Sequence, residues 1–215
     1  MNETELIREQ IETGENKTRE TPQKNWKREV WEYLRLILTV VGAVLLIELF
    51  VIVNAVIPSA SMEPTIMTGD HIFGNRLVYR FRDPSRYDII IFRYPDDESQ
   101  LFIKRIIGLP GDTVEIRDGE VYVNGSQIPL YDDFCAVPGS TEWNAGRSSL
   151  ENPFVVPEDS YFVMGDNRAN SRDSRYWENP FVNKEQILGE AFFRYWPLKD
   201  ITIIHRYVSR EEPSA

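Results

Sequence analysis

Histidine and cysteine are close to absent: the 215 residues hold two of the first and one of the second. The lone cysteine, Cys135, cannot form an internal disulfide, and no histidine stands near it in sequence to activate a thiol. His71 and His205 fall in strand-like stretches without metal-ligand spacing and read as ordinary sheet residues. A basic excess is lacking too. Lys and Arg number 24 against 34 Asp and Glu, a formal net charge of -10, which argues against a nucleic-acid partner whose phosphates demand a basic face. There is no internal repeat and no low-complexity tract. A hydrolase built from this chain needs a base other than histidine.

What the chain does have is one long apolar run. Leu36 to Ile57 is 22 residues, 16 of them Leu, Ile, Val or Phe. As a helix it would reach roughly 33 Å, enough to cross a hydrocarbon core of about 30 Å. Glu48 interrupts it at a cost on the order of 3 kcal/mol, while each large aliphatic residue returns roughly 0.3 to 0.6 kcal/mol, so the apolar gain exceeds the cost. A cleaved secretory signal is the rival reading, and the polar lead-in and the length of the run weigh against it. Lys24, Lys27, Arg28 and Arg35 precede the run, and the first charge after it is Glu63. That asymmetry places the N-terminus inside and the rest outside. The expected organisation is a polar cytoplasmic tail over 1–33, a transmembrane signal-anchor helix over 34–57, an external domain over 58–210 and a short tail over 211–215.

Beyond the run the pattern changes to short β-type stretches punctuated by Gly, Pro and Asp. They are 71–73, 87–94, 100–107, 113–116, 160–164, 191–195 and 201–207. Asp118-Gly119, set between two alternating runs, predicts a hairpin. The stretch 130–152 is turn-rich. The fold class is therefore mainly β: a single N-terminal transmembrane helix, then an external all-β domain with a β-rich inserted subdomain over 117–154.

Three runs carry candidate chemistry. The first, Pro58-Ser59-Ala60-Ser61-Met62-Glu63-Pro64-Thr65, follows the apolar run directly and suits a rigid turn that exposes a hydroxyl. It suits a plain polar exit from the membrane equally well. The second is Phe102-Ile103-Lys104-Arg105-Ile106-Ile107-Gly108. In a strand Lys104 shares its face with Phe102 and Ile106, and Arg105 shares the other with Ile103 and Ile107, so one cation sits against an apolar surface. Lysine loses its proton when desolvated and arginine does not, which makes Lys104 the better buried candidate. Lowering its pKa from about 10.4 to about 8 costs roughly 3 kcal/mol and yields a general base. An edge-strand lysine reaching to solvent fits the same stretch. The third run, 164–175, is dense in Asp, Asn, Ser and Arg after a strand, and suits either a surface loop of Asx turns or a shell that braces a base. Asp166 and Asp173 lack the regular oxygen-ligand spacing of a metal site, and none is expected.

In their order and joint presence these runs resemble bacterial type I signal peptidases (leader peptidases), membrane-anchored Ser-Lys endopeptidases. The resemblance extends from about Leu36 to Tyr207 and includes Tyr87-Asp88-Ile89-Ile90-Ile91-Phe92 and Lys104-Arg105-Ile106-Ile107-Gly108-Leu109-Pro110-Gly111-Asp112. It implies Ser61 as nucleophile and Lys104 as general base. It implies an oxyanion hole made by the Ser59 hydroxyl and the Ser61 N–H. Ser171 matches a serine that orients the lysine, Asp173 and Arg175 an ion pair bracing the site, and Asp166 and Arg168 structural support. Ile57, Phe102 and Ile103 are expected to line small subsites. One departure stands out: the family usually carries glycine where this chain has Tyr87, which puts the start of that strand in question. The implied substrates are secretory preproteins, cut after an Ala-x-Ala-like motif at the bacterial plasma membrane. No cofactor and a monomer are the corresponding expectations. A self-cleaving Ser-Lys peptidase of the repressor-processing type would use the same pair, but the apolar span and the lack of a DNA-binding helix pair count against it. A silent membrane-anchored binding protein would have been free to lose Ser61 or Lys104.

Overall fold

A computed structural model describes residues 26–117, 120–128 and 153–205. Cys135, the Asp118-Gly119 turn, most of the 117–154 insertion and the terminal stretches 1–25 and 206–215 lie outside the described residues. The chain divides between Val44 and Leu45 into two compact units.

Helix α1 runs from Trp26 to Phe50 and has a mean hydropathy of 2.1 over its most apolar stretch. None of its residues is buried by protein. At 25 residues it is about 38 Å long, and by length and composition it can cross a membrane. From Leu36 to Phe50 its one charged residue is Glu48, and so apolar a stretch needs an apolar surrounding.

The helix does not extend over 34–57. It starts earlier, at Trp26, and stops at Phe50; Ile52–Val56 instead forms strand β1, antiparallel to β2 (His71–Asn75), with Ile52 opposite Asn75 and Val56 opposite His71. An unbroken apolar run does not distinguish helix from strand by composition. What decides is the β-branched content of Val51 to Val56 together with a strand partner twenty residues downstream, which buries Val53 and leaves Asn54 exposed.

In the second unit, the remaining strands are β3 (Ile89–Tyr94), β4 (Asp97–Gly108), β5 (Thr113–Arg117), β6 (Glu120–Val123), β7 (Ser126–Gln127), β8 (Phe154–Val155), β9 (Ser160–Met164), β10 (Val182–Asn183), β11 (Ile187–Trp196) and β12 (Thr202–Ile203). An eight-stranded antiparallel sheet has the order β1-β2-β11-β3-β4-β9-β10, with β12 added to β11. A second sheet of the order β7-β6-β5-β8 carries the described part of the insertion, and Arg117 pairs with Glu120 across the hairpin.

Tyr87 departs from ordinary strand geometry. Its φ of 71° lies in the left-handed region that glycine occupies without a Cβ penalty, and β3 begins only at Ile89. The tyrosine ring is retained in the core, packed with Ile107, Phe162 and Met164, while its carbonyl accepts a hydrogen bond from Arg105.

Two features of this frame position the chemistry. Strand β4 lies centrally between β3 and β9, and its second half, Ile103 to Gly108, is buried on both faces while Asp97 to Leu101 are exposed. The loop after β1 is closed on itself, since Ile57 N–H donates to the Asp70 carbonyl and Gly69 N–H to that of Ile57.

Candidate active site

The 58–66 run folds as a tight loop with a single 3-10 turn, Ala60–Met62, which buries Ser61 and Met62. Met62 and Ile66 insert into a core with Ile57, Ile72, Ile89, Ile91 and Ile103, so the serine is held by the apolar residues around it. Ser59 lies on the exposed side, its Oγ 3.4 Å from Ser61 Oγ.

Lys104 reaches that turn from β4. Its Nζ lies 2.7 Å from Ser61 Oγ and donates to the Ile103 carbonyl at 2.9 Å. The side chain is 4% exposed. Burial pushes the amine down to about 8 from an ordinary 10.5, against the opposing pull of the Asp173 and Asp166 charges. The Phe102 ring, 5.4 Å from Nζ, stacks on Tyr94 and packs against Trp177.

The alternation along β4 would leave one of the two adjacent cations in a polar setting. Instead, both are buried on opposite faces. Arg105 is fully covered and makes a two-pronged ion pair with Asp166, Nε to Oδ1 at 2.7 Å and Nη2 to Oδ2 at 2.6 Å. The same carboxylate accepts from Thr65 Oγ1 at 2.6 Å, which ties the serine loop to the arginine.

The 164–175 run is not a surface loop. Asp166, Arg168, Ser171, Asp173, Ser174 and Arg175 are all buried. Asp173 accepts from Arg175 Nε at 2.7 Å and Nη2 at 2.8 Å, and from Gly165 N–H at 2.9 Å. Burial alone would raise its carboxyl, but the Arg175 guanidinium and these hydrogen bonds outweigh it and hold it below its ordinary value. Arg175 Nη2 also donates to the Arg168 carbonyl, and Arg168 Nε to that of Gly165.

Not every candidate converges. Ser171 is buried against Gly165, yet Lys104 hydrogen-bonds Ser61 and Ile103 and not Ser171. Ile57 and Ile103 share one core cluster, while Phe102 joins the aromatic group on the other face of β4, so these three do not form one wall. Among the described residues no group of His, Cys, Asp or Glu could hold a metal ion. Sequence reasoning missed Thr65, the pairing of Arg105, and Asn167. The only signal for them was their place inside the quoted runs, which says nothing of what lies opposite.

Gly165 fits where no side chain would. A Cβ there would overlap Ser171 Oγ and the Ser61 carbonyl oxygen, and the second of these is backbone that cannot swing aside. Gly165→Ala is therefore expected to push the serine turn off the lysine and to destabilise the fold by about 1 to 3 kcal/mol, as overpacking does. Thermal unfolding followed by circular dichroism would check this.

A family model described as "Signal peptidase, peptidase S26" matches residues 30–196. A probable signal peptidase I-2 of Synechocystis sp. is 40% identical over 205 residues, covering 92% of this chain and 88% of that one. The signal peptidase I of Pseudomonas aeruginosa is 33% identical over 207 residues, covering 77% of this chain and 73% of its own length. A chloroplastic thylakoidal processing peptidase 1 of Arabidopsis thaliana is 38% identical over 171 residues, 74% of this chain and 47% of that one.

Proposed function

Since the chain belongs to the signal peptidase (peptidase S26) family, we propose that Ser61 and Lys104 are the nucleophile and base with which it acts. The protein is a peptidase that removes signal peptides from preproteins, and α1 makes it a single-pass membrane protein. The observation that carries the catalytic assignment is the 2.7 Å approach of Lys104 Nζ to Ser61 Oγ in a buried setting that brings the amine down to about 8.

Neutral Lys104 takes the Ser61 proton as Oγ attacks the scissile carbonyl, giving a tetrahedral oxyanion. The Ser61 N–H and the Ser59 hydroxyl stabilise that charge, each donor contributing about 3 to 4 kcal/mol in comparable sites. The lysine ammonium then protonates the leaving amine. In the second half Lys104 deprotonates a water, which releases the acyl group. Asp173–Arg175 and Arg105–Asp166 brace the loops that hold the pair, and Ser171 keeps Gly165 packed against the serine turn. The N-terminus is cytoplasmic and the catalytic unit external, from the cations that precede the apolar run. Cleavage follows small residues in an Ala-x-Ala-like motif.

The test is cleavage of a preprotein by purified full-length protein in detergent and lipid, with the cut mapped by mass spectrometry. A cut after the small residue, lost when a bulky residue replaces it, supports the reading; no cut, or a cut elsewhere, overturns it. The pH dependence has a definite sign. The active form is the neutral amine, so kcat/KM is expected to rise about tenfold per pH unit below pH 8 and to level off above it. An acid limb near pH 6.5 would point to another base.

A further inference from the structure

Asn167 makes two contacts with the serine turn that none of the roles above uses. Its side-chain Nδ2 donates to the Ala60 carbonyl at 3.0 Å, and its backbone N–H donates to the Ser61 carbonyl at 3.0 Å. The two carbonyls belong to the peptides on either side of Ser61. Both bonds span more than a hundred residues of sequence, so no local turn chemistry requires them.

The Ala60–Ser61 peptide is not among the cis bonds of the chain, so it is planar and trans. In such a unit C=O and N–H point in opposite directions. Fixing where the Ala60 oxygen points therefore fixes where the Ser61 N–H points. The Glu63 N–H also reaches the Ala60 oxygen, at 3.2 Å, but it belongs to the same turn and moves with it. Asn167 comes from the loop after β9, which is anchored by the buried Arg105–Asp166 and Asp173–Arg175 pairs. It thus refers the orientation of the serine peptide to a rigid part of the protein. A hydrogen bond accepted by an amide oxygen also polarises the amide and strengthens its N–H as a donor, by about 10–30%.

We propose that Asn167 is a positioning residue for the oxyanion: by holding the Ala60 carbonyl it aims the Ser61 N–H at the charge that develops during acylation. This rests on Ser61 being the nucleophile. The role belongs to the transition state, since the ground-state carbonyl oxygen does not yet carry the charge that this N–H would bind.

The test uses full-length protein in detergent micelles with a peptide substrate. Asn167→Leu preserves shape and removes the donor; Asn167→Ala is the second variant should leucine disturb folding. Both are expected to lower kcat about 10- to 100-fold with KM within about twofold of wild type. The acid limb of kcat/KM stays where it was, because Lys104 is untouched. A second readout uses a substrate-like peptide aldehyde. Ser61 Oγ adds to its carbonyl carbon as the hydroxyl proton passes to the carbonyl oxygen, forming a hemiacetal whose oxygen occupies the oxyanion position. Aldehyde affinity should fall by the same factor as kcat, while the corresponding peptide alcohol, which cannot add, binds unchanged. Wild-type kcat in both variants, a loss confined to KM, a displaced acid limb, or equal losses for aldehyde and alcohol would each overturn the inference. Should Ser61→Ala keep activity, the nucleophile assignment fails; should Ser61→Ala be inactive while the Asn167 variants match wild type, only the role of Asn167 fails.

Discussion

Lys104→Met is expected to abolish preprotein cleavage and to make the protein more stable at pH 7. Loss of the base removes the amine that lies 2.7 Å from Ser61 Oγ, and single knock-outs in comparable nucleophile–base units cost about 10^4-fold or more. The gain in stability follows from the same burial. An amine held near 8 in the folded chain and near 10.5 when unfolded binds its proton less tightly in the native state. Below pH 8 the folded protein carries a buried ammonium at a cost of about 3 kcal/mol, and that cost is relieved as pH rises from 8 to 10.5. Methionine fills much the same space without a charge, so it removes the cost at every pH. Thermal unfolding at pH 7 and at pH 10 should show the excess stability of Lys104→Met shrinking with pH. Lys104→Arg is the counterpart: equally inactive, because a guanidinium does not give up its proton, but destabilised at both values. Ser61→Ala should be as inactive as either, with little change in melting temperature. Activity in Ser61→Ala or Lys104→Met, or a flat stability difference between the two pH values, would remove the assignment.

The second large effect concerns the other cation of β4. Asp166→Ala leaves the fully buried Arg105 guanidinium without its two-pronged partner and Thr65 Oγ1 without its acceptor. Breaking a buried pair from one side costs about 3 to 5 kcal/mol, against about 0 to 1 for a surface pair. For a chain of this size that corresponds to a fall in melting temperature of about 6 to 20 °C. Replacing both partners, as Arg105→Met with Asp166→Leu, should recover much of the loss, since no unpaired charge remains. The recovery should be partial, because Thr65 and the Tyr87 carbonyl still lose partners. Differential scanning calorimetry of the two single variants and the double variant separates these terms. A double variant no better than Asp166→Ala would mean that the ion pair contributes in its own right.

This pair also shows where reading along the chain stops. Alternation along 102–108 identifies the faces on which Lys104 and Arg105 lie, and side-chain chemistry identifies which can become neutral. Neither says what stands opposite. Arg105 meets a carboxylate 61 residues away and Lys104 a hydroxyl 43 residues away. The end of α1 is a similar case. Val51 to Val56 continues the apolar character of the helix, and only its pairing with His71–Asn75 turns it into β1. The 164–175 run was legible as polar and hydrogen-bonded but not as buried, because its charges are neutralised within the loop itself and by β4.

The sequence by itself determined that this chain has a membrane-length apolar helix and a β-rich remainder, because hydrophobic period and turn residues are local properties. It also determined the type of chemistry, since a chain with almost no histidine that sets a serine after an apolar run and a lysine among isoleucines has few other ways to activate a hydroxyl. Only the tertiary structure decided that the two meet, that both β4 cations are buried, and that Asn167 grips the peptides flanking the serine. Those are contacts between distant segments, set by strand register and by what each buried polar group requires of its neighbours.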